Sequence, residues 1–417
     1  MHVAWLLVPP ALGMALAGVL ARRVRRRRGW VAAGLVGVLT LVAVTVGGAQ
    51  AWALASVDTS GIARALAWRD ADVDDRLRFP SLPIPAGGDV LPLREGSLPD
   101  GVLDRVRVPG QGEQDLGELL DRTGTTSFVV LRGDEVLVER YGEGTTRETP
   151  QTSFSVAKSV LSTLVGIAIE RGEIGGLDDP VTEYVPELLE RDPGFGRITL
   201  RHLVTMSSGL SYEEAGLPWS DDALTYYDTD LRTLALGVQV AEPPGRTWLY
   251  NNYNPLLVGL ALERAVGRPV EEYAAEVLWG PMGAEGDASW SADSEATRFP
   301  KMESGVNARA LDYARFGLLF AREGRAGDRQ VVPAAWVTEA TARDTSADPA
   351  EHYQYWWWVD TEREERFYAR GNKGQFVYVD PATDLVVVRL GREEGLEGSG
   401  DWPALLRDVA DRVAASG

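Results

Sequence analysis

Cysteine is absent from the 417 residues, and histidine and lysine occur only three times each. Without thiols there is no cysteine nucleophile, no disulfide framework and no thiolate-ligated zinc or iron–sulfur site. The histidines, at positions 2, 202 and 352, are too few and too scattered for a His-rich metal centre. No metal or other cofactor is therefore expected. A serine hydrolase with an imidazole base would have to recruit His202 or His352. Positive charge is also short: 42 Lys and Arg stand against 61 Asp and Glu, for a net charge of −19. That balance excludes nucleic acid as a partner, because neutralising phosphates takes clustered basic residues.

Charge of either sign is missing from two N-terminal runs, residues 4–21 and 30–54. The second is 25 residues long, enough to span a bilayer with some tilt. Between them lie Arg22, Arg23 and Arg25 to Arg28, which should hold that loop in the cytoplasm. Both ends of the chain would then be outside. No acidic residue precedes Asp58, so the net charge blends a cationic anchor with a more acidic remainder. The expectation is a cell-membrane protein with an extracytoplasmic domain. The alternative is a signal sequence cut near Ala53-Leu54-Ala55 and a secreted product.

Residues 1–55 thus read as an anchor, 56–110 as a linker wrapping into the domain, and 111–417 as one domain of a size that suits a two-part enzyme. Phe128 to Tyr141 has the pattern of a β-hairpin turning at Gly133-Asp134. Residues 155–345 look mostly helical. Strand-like runs return at Gln354 to Val359, Arg366 to Ala369 and Gln375 to Leu390, before an amphipathic helix over Pro403 to Ala415. Strands at both ends of a helical centre predict an α/β (α+β) fold: an antiparallel sheet flanked by helices, with an inserted all-helical subdomain.

Lysine scarcity is informative. The chain uses 39 arginines, so a surviving lysine suggests a task arginine cannot perform, chiefly losing its proton. Lys158 follows Ser155 by three residues, on one face of a helix. The residues from Ser159 to Ile169 carry no charge, which marks a core helix. Desolvation there disfavours the ammonium and leaves an amine able to act as a general base. Ser155, at the helix N-terminus, would have backbone N–H groups beside a developing oxyanion.

Two further constellations stand out. Tyr250-Asn251-Asn252 follows a Pro243-Pro244-Gly245 turn and precedes a helix expected to begin with Asn254 as N-cap and Pro255 inside. Tyr250 then lies on a loop, where its phenol could relay a proton. Arg370-Gly371-Asn372-Lys373-Gly374-Gln375 lies between strand-like runs. Its glycines would admit a substrate to the strand edge, and its plainer reading is a hairpin turn with exposed charges.

Ser155-x-x-Lys158, Tyr250-x-Asn252 and a glycine motif on a late strand, in that order, resemble the serine β-lactamase and penicillin-binding-protein superfamily. The resemblance covers residues 115–415 and includes Gly176 to Val181, Leu203 to Leu210 and Ala308 to Gly317. Tyr212-Glu213-Glu214 and Gly371 to Gln375 resemble the class C β-lactamase-like esterases and amidases of the 6-aminohexanoate-dimer hydrolase type. This implies an acyl-enzyme on Ser155, with Lys158 and Tyr250 moving the proton and the N–H groups of Ser155 and Asn372 binding the oxyanion. It further implies substrate contacts from Tyr212, Asn252, Gly371, Lys373 and Gly374, with Trp356, Trp357 and Trp358 as candidate apolar walls.

Two departures from the family pattern are visible. The third motif is usually Lys- or His-x-Gly, and here the basic candidates are Arg370 and Lys373. Many relatives have histidine where this chain has Met206, while His202 reads as structural. The expected substrate is a small-molecule or peptide amide or ester. Alternatives are a cell-wall D,D-carboxypeptidase or β-lactamase, and a non-catalytic sensor domain.

Overall fold

The computed structural model describes residues 29–344, 350–396 and 401–416, with side chains from residue 35 onward. Internal packing divides the chain into two units, residues 1–70 with 216–229, and residues 71–215 with 230–417.

In the first unit, α1 (Gly29–Ala55) is long and apolar enough over Leu35–Ala55 to cross a membrane. The earlier apolar run at residues 4–21 lies outside the described residues. A helix at Gly61–Trp68 is capped by Ser60, whose side chain accepts the N–H of Ala63. It packs against the helix Asp221–Tyr227. Arg64 Nη1 donates to Tyr227 O at 3.4 Å, and the Tyr227 hydroxyl donates to Arg69 O at 3.0 Å.

The second unit is organised by an eight-stranded sheet. Its strands are β1 (Arg94–Glu95), β2 (Thr125–Arg132), β3 (Glu135–Tyr141), β4 (Tyr353–Gln354), β5 (Trp357–Val359), β6 (Phe367–Gly371), β7 (Gln375–Asp380) and β8 (Leu385–Gly391). Their spatial order is β4-β5-β6-β7-β8-β2-β3-β1, antiparallel except where β1 lies parallel to β3. The last strand in sequence, β8, pairs with β2 from Leu385 opposite Arg132 to Gly391 opposite Thr125. Distant segments therefore share one sheet, as the sequence pattern indicated. Residues 56–110, expected as a linker, supply β1 and an edge strand of a second sheet.

Period-two alternation divides the core. Val129 and Leu131 of β2, Val377 and Val379 of β7, and Val386 and Val388 of β8 face one apolar cluster. Phe128, Val130, Phe376, Tyr378, Leu385 and Val387 face another, closed by Leu405, Leu406 and Val409 of α5 (Asp401–Ala415). The first cluster also takes in α2 (Val156–Glu170), α3 (Tyr253–Val266) and α4 (Ala310–Ala321). At Gly317 of α4 a Cβ would fall 2.7 Å from Val386 Cγ1 and 2.9 Å from Val377 Cγ1, so the missing side chain sets how closely helix and sheet approach.

The inserted centre is not all helical. It contributes to a four-stranded antiparallel sheet ordered Ser81–Ile84, Ala288–Ser291, Val306–Ala308, Gln151–Thr152. These strands are two to four residues long, too short to display a period in the sequence.

Candidate active site

The segment entering α2 is tightly constrained. Ser153 N–H donates to Val306 O at 2.8 Å, tying it to the small sheet. Phe154, 2% exposed, is held at φ 44°, a left-handed conformation that costs a non-glycine residue about 1–3 kcal/mol. Ser155 follows as the helix-capping residue and is partly exposed. Strain thus falls immediately before the candidate nucleophile.

Every α2 residue from Val156 to Ala168 is buried, and Lys158 is 1% exposed. Its Nζ donates to Ser155 Oγ at 2.9 Å and to the backbone oxygen of Glu303 at 2.9 Å. Both partners are uncharged. Nζ also lies 4.9 Å from the centroid of the Tyr250 ring. Sequence spacing therefore brings Ser155 and Lys158 into direct contact, and the fold adds Tyr250 from 92 residues further on.

The loop bearing Tyr250 is seated on the Leu203-to-Leu210 segment. Leu249 N–H donates to Met206 O at 2.8 Å, Asn251 Nδ2 to Leu210 O at 3.1 Å, and Ser208 Oγ to Asn254 Oδ1 at 2.6 Å. Asn254 is therefore a buried strut and not the expected N-cap. The helix begins earlier, with Asn252 in the capping position and Pro255 in the first turn, where a missing N–H costs no hydrogen bond. Asn252 Nδ2 donates to the Tyr212 hydroxyl at 3.0 Å, and Tyr212 sets its edge against Tyr253 at 6.1 Å.

Aromatic rings surround Tyr250. Trp358 stacks on it at 6.4 Å, Tyr353 meets it edge-on at 6.0 Å, and Trp248 lies 6.4 Å away. His352 lies against both Trp248 and Trp358, at 5.8 and 5.5 Å. Burial, then the neighbouring Tyr250, pushes the Tyr353 phenol well above its usual range, so Tyr353 stays neutral. Of the three consecutive tryptophans only Trp358 is partly exposed beside Tyr250. Trp356 and Trp357 are core residues.

On the opposite side, β6 ends at Gly371 directly against the α2 entry. A Cβ at Gly371 would fall 2.1 Å from Ser153 O and 3.1 Å from Ser155 N, so two backbones meet where only glycine fits. Asn372 is exposed, and its Oδ1 accepts the N–H of Lys373, which sits at φ 59°. Gly374 packs on Arg389, not on Ser155. Arg389 is fully buried and donates to Lys373 O (2.9 Å), Gly374 O (2.8 Å), Glu393 O (3.0 Å), Thr123 O (2.7 Å) and Thr125 Oγ1 (3.0 Å). Burial works against its charge, and these oxygens with the Trp402 ring at 4.3 Å offset that cost.

With Gly371 as the motif's glycine, the residue two places earlier is Ala369, which is fully buried. Neither basic candidate occupies that place. Arg370 pairs with Glu394 at 3.1 Å and lies over Phe376 at 5.6 Å, while Lys373 stands in the turn beyond. His202 Nδ1 accepts the Thr199 N–H at 3.1 Å within a capping box, which is a structural task.

Residues not singled out by motif include Glu303, Trp248, His352 and Tyr353. For Glu303 a signal existed, since its neighbour Lys301 belongs to the same scarce set as Lys158. The aromatic wall is assembled from separate loops and left no local pattern.

A protein-family comparison matches the beta-lactamase family over residues 113–410. The chain belongs to the beta-lactamase family. Among its relatives is a 6-aminohexanoate-dimer hydrolase from Paenarthrobacter ureafaciens, 30% identical over 297 residues that cover 66% of this chain and 74% of that protein. A Bacillus anthracis protein described as a 6-aminohexanoate-dimer hydrolase superposes with a TM-score of 0.71 at 21% identity, over 81% of this chain and 90% of that one. A penicillin-binding protein from Bacillus halodurans gives 0.56 at 16% identity, over 71% and 99%. The structural likenesses show that the chain has the beta-lactamase fold.

Proposed function

We propose that the protein is a serine hydrolase that cleaves an amide or ester of a small molecule or peptide through an acyl-enzyme on Ser155. The observation that carries this reading is the 2.9 Å hydrogen bond between a buried lysine with uncharged partners and the hydroxyl of a partly exposed serine. Lys158 accepts the Ser155 proton while Oγ bonds to the substrate carbonyl carbon. The oxyanion is held by the backbone N–H groups of Ser155 and Asn372, beside the Gly371 contact. Tyr250, with its ring next to Nζ, passes the proton to the leaving nitrogen or oxygen as the C–N or C–O bond breaks. Water then attacks the ester carbonyl, its proton returns through the same groups, and Ser155 is freed.

Ala369 in the place two residues before Gly371 bears on the substrate. A substrate carboxylate would find no cation there, which favours an amidase or esterase over a cell-wall D,D-carboxypeptidase or β-lactamase. The 6-aminohexanoate-dimer hydrolase relative supports the amide class. We further infer that α1 holds the hydrolase at the cell membrane, outside the cytoplasm because of the arginines preceding it.

Treatment with a serine-directed fluorophosphonate and, separately, a fluorescent penicillin, followed by mass spectrometry, tests the reading. The expected result is a phosphonyl adduct on Ser155 and no penicillin adduct. Failure of the fluorophosphonate to label removes the hydrolase reading. Penicillin labelling of Ser155 transfers support to the cell-wall alternative.

A further inference from the structure

A second buried lysine lies behind the first. Lys301 and Glu303 form an ion pair with Nζ–Oε1 at 3.1 Å and both side chains 2% exposed. They belong to the turn that leads into the small-sheet strand Val306–Ala308, and the backbone oxygen of that same Glu303 receives Lys158 Nζ.

The turn is heavily fixed. Ser304 N–H, Gly305 N–H and Trp290 Nε1 all donate to Lys301 O, at 3.1, 2.7 and 2.9 Å. Lys301 N–H donates to Ser291 O at 2.8 Å, and Ser291 N–H to Gly305 O at 2.8 Å. The Glu303 carboxylate is oriented twice, by Lys301 and by the Ser304 hydroxyl at 2.6 Å on the same oxygen. Lys301 Nζ also lies 4.4 Å from the Phe79 ring centroid.

Stability alone does not account for this arrangement. Desolvating two charges offsets most of their attraction, and an apolar pair of equal volume usually serves a core as well or better. An ion pair supplies direction, which an apolar contact does not. Here the pair is made within the same short turn whose Glu303 carbonyl is one of two acceptors holding Lys158. Released from it, a four-carbon stem with a single remaining partner would leave the line to Ser155 Oγ.

We propose that the Lys301–Glu303 pair is a positioning device that aims the Glu303 carbonyl and thereby holds Lys158 Nζ at Ser155. The proposal rests on the reading of Lys158 as the base, and it assigns neither Lys301 nor Glu303 a contact with substrate.

The test is the double variant K301M/E303L, which removes both charges at near-constant volume, with K301M/E303Q as a second version that keeps an acceptor for Ser304 should the first not fold. Fluorophosphonate labelling of Ser155 is expected to slow by about 10- to 100-fold, the loss associated with small misplacements of reacting groups. For any substrate found, kcat should fall with KM unchanged. In a K158A background the same double change should leave the residual rate within about threefold, because positions acting through one group are not additive. An unchanged rate in the K301M/E303L protein, or an equal loss in both backgrounds, overturns the proposal. A crystal structure of the double variant decides it independently of activity. Nζ is expected beyond hydrogen-bond distance of Ser155 Oγ, and an intact Ser155–Lys158–Glu303 contact is a refutation. Absence of labelling in the unaltered protein would remove the proposed function, while the crystallographic comparison would still judge the positioning role.

Discussion

Lys158 and Lys301 are equally buried and oppositely partnered. Lys301 faces a carboxylate at 3.1 Å, a paired arrangement of opposite charges. Lys158 faces a hydroxyl and a backbone carbonyl, both uncharged. The two sites are joined through one residue, since Glu303 offers its side chain to one lysine and its backbone to the other. Burial alone therefore says little about what a lysine does. The identity of its acceptors separates a structural charge from a candidate base.

Replacing each lysine by methionine breaks the comparison in opposite ways. K158M should reduce Ser155 acylation by about 10²- to 10⁴-fold, the usual contribution of a positioned general base, with the unfolding midpoint unchanged or raised. K301M should instead destabilise the fold by about 3–5 kcal/mol, because it leaves the Glu303 carboxylate buried without its countercharge. Denaturant unfolding read beside labelling kinetics distinguishes the two. Similar stability losses in both variants would show that Lys158 is also held as a charged structural group.

A smaller effect compares the two sides of the serine. The Lys158 side depends on a side chain, whereas the Gly371 side depends on backbone contact. G371A should slow acylation by about 10²-fold, a typical loss for one oxyanion donor, since the new Cβ would collide with Ser153 O and displace the Asn372 N–H. N372A should remain within about threefold of the original rate, because the proposed donor is main chain. A large N372A loss in labelling rate would instead assign the work to the side chain.

This division also explains what the sequence could reveal. Ser155 and Lys158 share a helix face, so their spacing already specified their contact. The β2–β3 hairpin was visible because its strands are long enough to show a pattern, whereas Gln375 to Leu390 read as one strand-like run that the structure divides into β7 and β8 at Pro381–Thr383. Tyr250 was suggested by its motif, yet its ring reaches Nζ only through the seat at Met206 and Leu210, a tertiary fact. Asn254 resembled an N-cap because a polar residue before proline has that local signature. Its hydrogen bond with Ser208, which pulls it into the core, joins residues 46 apart. The four-stranded sheet and the wall around Tyr250 gather short pieces from distant positions and left no periodic trace. Lys301 was legible by scarcity alone, and what it touches was not.

The weakest expected effect uses a third kind of buried base. His202, half-buried near Asp178 and Arg201, has its pKa lowered, first by burial and then by the Arg201 charge, while Asp178 acts in the opposite direction. Its native form is the neutral imidazole, consistent with Nδ1 accepting the Thr199 N–H. The unfolded chain, with a value near the usual 6.5, takes up a proton first on acidification. Stability contributed by this histidine is therefore complete above about pH 6.5 and declines as the pH falls toward the lowered folded value. H202N retains an acceptor for Thr199 without a titrating ring, so its unfolding midpoint should fall less between pH 7 and 5 than that of the unaltered protein. Parallel curves would mean that His202 is solvated well enough to titrate as in the unfolded chain.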